Sequence, residues 1–165
     1  MKEGRAMATS NEIISARNAY TSICAVLDAR NWTYDKDDEK LRIIVGVTGD
    51  DLPMDFIIRV DTEYQLVKLQ SLLPFKFEES KRLEGSIATN YINFQLADGS
   101  FDYSMQDGAV AFRLTQSIRE SHIVNSVYRY MIDVACLTID KYNDNLLMLS
   151  KGEIDLEEFL EIVSD

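Results

Sequence analysis

The chain has 165 residues, 46% of them apolar, with 17 Lys and Arg against 28 Asp and Glu, for a net charge of −11. That length and apolar content suit one globular domain and argue against disorder. The negative balance repels phosphate backbones and anionic lipid, and no apolar run nears the ~20 residues that span a bilayer. Neither nucleic acid nor membrane is therefore expected as a partner, whereas a basic protein surface is compatible.

Residues 1–8 read as a flexible N-terminus. Thr9 and Glu12 have the spacing of a capping box, and Ile13, Ala16, Tyr20, Ile23, Cys24 and Leu27 recur at three- and four-residue steps. A helix ending near Arg30 follows. A short strand is expected over Trp32 to Asp35 and a polar turn over 36–40. Leu41, Ile43, Val45 and Val47 then alternate, as do Met54, Phe56, Ile58 and Val60 beyond Gly49-Asp50-Asp51. The two runs read as an antiparallel pair with one buried face.

Residues 62–73 fit two periods. Leu66, Leu69 and Leu73 suit a helix; Gln65, Val67, Leu69 and Ser71 suit a strand. The strand is preferred because two strands and a short turn precede it, with Pro74 expected to end it. Leu83, Ile87, Tyr91 and Phe94 step by four, four and three, which predicts a second amphipathic helix before Gly99.

Phe101 to Leu114 reads as a hairpin about Asp107-Gly108, a dipeptide favoured where both turn residues need positive φ. A two-residue loop pairs Met105 with Val110, Tyr103 with Phe112 and Phe101 with Leu114. It also sets Asp102 against Arg113. Ser117 and Glu120 then suggest another capping box. An apolar face from Ile123 to Leu149 predicts a helix over 119–149, about 46 Å long, that kinks, breaks near Asn143 or projects. A short acidic C-terminal helix is expected within 153–165.

The stretch Lys151 to Leu160 resembles the end of a calcium loop. With Gly152 sixth and Glu158 twelfth, the first, third and fifth positions are Leu147, Leu149 and Lys151. A hard cation needs oxygen there, so calcium binding is not expected. A helix stop at Gly152 and a restart at Asp155 account for the pattern. His122 is the one histidine, and its neighbour Ser121 points about 100° away on a helix, so the two make no nucleophile–base pair. Cys24 and Cys136 are read as reduced core thiols. Asp37-Asp38 and Asp50-Asp51 lie at turns, where Asp bonds its own backbone. No catalytic, cofactor or metal residues are assigned.

The order helix, three or four strands, helix, hairpin, long helix defines an α+β fold, an antiparallel sheet with flanking helices. Within it, "LLPFKFEESKR" (72–82), "NYINFQLADGSFDYSMQDGAVAFRL" (90–114) and "DKYNDNLLMLSKG" (140–152) resemble the YbjN-like family of bacterial proteins. The stretch from Asn93 to Arg113, with Gly99, Phe101, Asp107-Gly108 and Arg113, carries the resemblance. That family is similar in fold to type III secretion chaperones, small acidic cytoplasmic homodimers that hold segments of partner proteins. The resemblance implies one such domain over 9–152. It also implies a non-enzymatic protein-binding module, chaperone-like or regulatory, and a homodimer. The lack of a secretory leader in "MKEGRAMATSNE" agrees with the cytoplasm. The competing expectation is a small-ligand-binding or hydrolytic domain using carboxylates on the sheet face. It fails if Phe56, Ile58 and their neighbours fill that face.

Overall fold

The computed structural model describes residues 8–50 and 52–164. The expected flexible N-terminus lies, except for Ala8, outside the described residues, as does Asp51. Helix α1 (Ser10–Ala29) begins at the expected capping box: the Thr9 hydroxyl accepts from the Glu12 amide, and the Glu12 carboxylate accepts from the Thr9 amide. Its stripe is centred on Ala16, Tyr20, Ile23 and Leu27, all buried, with Cys24 half-buried and Ile13 exposed.

Six strands follow the antiparallel order β1-β2-β3-β4-β6-β5. They are β1 (Asp35–Asp37), β2 (Arg42–Thr48), β3 (Pro53–Asp61), β4 (Leu66–Lys76), β5 (Ser100–Tyr103) and β6 (Ala109–Ser117). The alternation of β2 and β3 is as expected: Ile43, Val45, Met54, Phe56, Ile58 and Val60 are buried. The segment 62–73 resolves as a turn and a strand. Strand β1 begins where the expected one ended, because Arg30 and the left-handed Asn31 (φ 55°) carry the chain past Trp32 before pairing starts.

Pro74 does not end β4. The β4–β6 register shifts between Leu72 and Lys76, and Pro74 sits in that irregular stretch. A residue lacking an N–H is tolerated there because no ladder bond is lost.

Helices α2 (Arg82–Gln95), α3 (Asn125–Lys151) and α4 (Leu156–Ile162) complete the chain. α1 and α3 contact each other and the sheet, α2 lies against β5, and α4 touches α2 and α3. Phe159 and Val163 join the same core. The left-handed Gly152 (φ 74°) ends α3, its N–H reaching the Leu149 carbonyl.

Two further expectations need correction. The hairpin keeps its predicted faces, but its register is shifted by two: Phe101 faces Phe112, Tyr103 faces Val110, and Arg113 faces Ser100. A two-residue turn of the expected kind needs positive φ twice, and only Gly108 (φ 72°) has it. The loop widens to Met105–Gly108, closed by Ser104 N–H to Ala109 O at 2.9 Å and Gly108 N–H to Ser104 O at 2.8 Å. Arg113 still grips Asp102, now diagonally, with Nε to Oδ2 at 2.7 Å and Nη2 to Oδ1 at 2.8 Å.

The long helix starts six residues later than expected. β6 keeps pairing to Ser117, opposite Leu66, and Ile118 N–H bonds the Gln65 carbonyl at 2.9 Å. Ser117 is therefore a strand residue rather than a cap. From Asn125 the helix has 27 residues, about 40 Å. It runs unbroken through Asn143.

Candidate interaction surfaces

Four places in the fold offer groups to another molecule: the two sheet edges, the outward side of α2, the open face of the sheet, and the clefts between helices. The edges are β1, three residues long, and β5, four residues long. An edge strand presents unpaired main-chain groups, but on β5 those of Phe101 are already used. Asn93 on α2 accepts from Phe101 N–H at 2.7 Å and donates to Phe101 O at 2.9 Å. Neither edge therefore offers a long free ladder: one is very short, and the other is closed at Phe101 by a side-chain amide.

α2 turns the opposite way from the expectation drawn from its apolar stripe. Its buried face consists of small residues and one isoleucine: Gly85, Ala88, Thr89 and Ile92. Space explains this. A Cβ on Gly85 would stand 2.7 Å from the Tyr103 hydroxyl and 2.8 Å from the Phe77 ring. Only small side chains let the helix approach this closely.

At about 100° per residue, Leu83, Ile87 and Phe94 fall on the far side. There they are 67%, 41% and 91% exposed. With Asn90 they are spaced four, three and four, the step of a two-heptad seam. Tyr91 is half-buried, its hydroxyl on Ser164 at 2.7 Å.

One face of the sheet is covered by the helices and filled by Phe56, Ile58, Leu69, Phe112 and their neighbours. No room for a carboxylate site remains on that side. The other face carries the alternate residues. There, bonding to Arg113 holds the Asp102 carboxyl below its ordinary value, and the Lys40 amide does the same for Asp37. A general acid near neutral pH needs the opposite shift.

The singled-out residues are dispersed. Asp38 accepts from the Tyr20 hydroxyl at 2.8 Å, and Asp140 accepts from the Asp50 amide at 2.9 Å. His122 and Ser121 lie on the connection between β6 and α3, not on a helix. They line a cleft of about 260 Å³ against Asn11, Ser15 and Asn18 of α1. Both cysteines are free and half-buried. Burial raises the Cys24 thiol and pushes Cys136 up to about 11. Glu158 closes the capping box at Asp155, its carboxylate accepting from the Asp155 amide at 3.0 Å. Among the described residues no group of three His, Cys, Asp or Glu could hold a metal ion, and no helix is long and apolar enough to cross a membrane.

Comparison with known proteins adds the following. Residues 20–148 match the model of the YbjN family, described as "Putative bacterial sensory transduction regulator". Comparison with curated proteins found no match. Among solved structures, that of YbjN from E. coli is similar with TM-score 0.55 and 12% identity, over 76% of this chain and 91% of that one. The HopA1-SchA chaperone–effector complex contains a chain similar with TM-score 0.50 and 11% identity, over 84% of this chain and 94% of that one. Identities this low speak to the fold: the type III chaperone-like α+β architecture is the one this sequence adopts.

Proposed function

The chain belongs to the YbjN family, and on that footing we propose that it is a non-enzymatic protein-binding module, a chaperone-like or regulatory adaptor acting as a cytoplasmic homodimer. Its working unit is the single YbjN-like domain over 9–152, with the acidic C-terminal helix docked on it. The observation that carries the reading is the outward seam of α2. A helix that places Leu83, Ile87 and Phe94 in water while burying glycine and alanine is shaped to meet something else.

The occupant we assign to that seam is a second copy of the chain. A chain of net charge −11 repels its own copy over most of its surface. The seam residues Leu83, Ile87, Asn90 and Phe94 are all uncharged. A two-fold axis parallel to α2 would set Asn90 near its own mate, and a lone Asn in such a seam fixes register. The family's description as a sensory regulator and the chaperone–effector neighbour both support an adaptor that holds another protein.

Analytical ultracentrifugation tests the seam. The wild-type chain should sediment at twice the chain mass, and Phe94→Asp at the chain mass with unchanged far-ultraviolet circular dichroism. A wild-type monomer at tens of micromolar, or a Phe94→Asp dimer, would remove the seam from the account.

A further inference from the structure

The charge of −11 is not spread evenly. On the open face of the sheet, Arg42 of β2 stands opposite Arg59 of β3, and Arg59 stands opposite Lys68 of β4. Three cations thus form one row across three adjacent strands, about 10 Å long at the usual strand spacing. Like charges directly opposite each other destabilise a sheet, and the chain does little to offset them. Arg42 reaches Asp37 only at 3.9 Å. Among the described residues neither Arg59 nor Lys68 has a carboxylate within ion-pair distance.

The neighbouring rows on the same face are partly apolar. Ile44 faces Ile57, both more than a third exposed, and Leu72 farther along β4 is 60% exposed. Carboxylates border the patch: Asp37 ends the cationic row and Asp35 the isoleucine row at β1, Asp55 and Asp61 flank Ile57 and Arg59 along β3, and past Lys68 the row continues to the uncharged Thr115.

We propose that this open face binds an acidic amphipathic helix of a partner protein, its carboxylates on the Arg42–Arg59–Lys68 row and its apolar side chains on Ile44, Ile57 and Leu72. The inference rests on the adaptor reading and gives its partner a chemistry. Helix residues three or four apart lie about 5–6 Å from one another, close to the strand spacing of about 4.8 Å. A helix laid across the strands can therefore set successive carboxylates against successive cations. Apolar side chains on its adjacent flank then reach the isoleucine row. A nucleic acid fits poorly. Its phosphates continue past the three cations into Asp37 at one end of the row and meet Asp55 and Asp61 along β3, within the field of a strongly negative chain.

The test uses the full chain, immobilised, and a random library of peptides about 16 residues long, enough for some four helical turns. Enriched peptides are then titrated by fluorescence polarisation against wild type and the exposed-face double variant Arg59→Gln/Lys68→Gln. Enrichment of Glu or Asp at helical spacing beside Leu or Ile is expected. So is binding that weakens roughly tenfold or more in the double variant and with rising salt. No enrichment, enriched peptides without acidic residues, or unchanged affinity in the double variant would overturn the proposal. Tighter binding of single-stranded DNA, lost in the same variant, would also overturn it. So would self-association of the chain that this variant abolishes. If a cellular partner is captured equally by wild type and the double variant, this inference falls while the adaptor reading stands.

Discussion

Asn93 closes the outer edge of β5 by binding both main-chain groups of Phe101, the N–H at 2.7 Å and the carbonyl at 2.9 Å. The amide does for Phe101 what a seventh strand would do. Phe101 is itself 2% exposed and stacks edge-on with Phe112 at 5.3 Å, so its backbone has little freedom to find water instead.

Asn93→Ala is expected to cost about 2 kcal/mol, the scale of orphaning partly buried hydrogen-bonding groups, and to increase aggregation through the opened edge. Asn93→Asp keeps the acceptor, loses the donor and should fall between. Urea denaturation measures both. An Asn93→Ala variant within 0.5 kcal/mol of wild type, on the scale of about ±0.5 for neutral surface changes, would mean water replaces the amide at no cost.

Gly108 locks the hairpin loop against β4. Its φ is 72°, Phe77 N–H donates to its carbonyl at 2.9 Å, and a Cβ there would lie 1.9 Å from the Phe77 oxygen. Gly108→Ala combines left-handed strain with a backbone clash. A loss of about 3 kcal/mol in unfolding free energy is expected. A loss below about 0.5 kcal/mol would show that the loop undocks freely.

The same loop predicts a titration. Asp107 is pulled down to about 2, first by the Lys76 ammonium, then by the Ser104 hydroxyl and the Ala109 amide. Because its folded value lies below the unfolded value of about 3.9, its contribution is full above pH 4. That contribution is lost as the pH falls through about 2. Carboxyl-detected NMR should find Asp107 titrating near 2, moving up toward 3.9 in Lys76→Met. No movement would assign the shift to the Ser104 hydroxyl and the Ala109 amide instead.

Asn143 sits fully buried in α3, and neither its amide oxygen nor its nitrogen has a partner among the described residues. Replacing an unsatisfied amide by an apolar side chain of similar volume removes a desolvation cost of about 1–3 kcal/mol. Asn143→Leu is therefore expected to raise the unfolding free energy by about 1–2 kcal/mol, whereas Asn143→Ala leaves a cavity and lowers it. If Leu destabilises as much as Ala, the amide is satisfied in solution.

The sheet was legible because period-two alternation survives in Met54–Val60 without tertiary help. The seam of α2 was only half legible. Periodicity reveals that Leu83, Ile87 and Phe94 share a side, but not that the tighter Gly85–Ala88–Ile92 side would take the core. The hairpin register and the start of α3 turned on partners distant in sequence: Phe77 for Gly108, and Leu66 and Gln65 for Ser117 and Ile118. The cationic row could not be seen at all. Arg42, Arg59 and Lys68 lie on three strands, and only the pairing register brings them side by side. Whole-chain charge pointed instead to a basic partner.

The central claim is that this protein works by holding another one. Affinity capture on the immobilised full chain, from lysate of the source organism and with free chain as competitor, tests it most directly. After a moderate-salt wash, mass spectrometry should find one or a few proteins at near-stoichiometric level, displaced by the free chain. Retention of nothing at low or moderate salt would contradict the account.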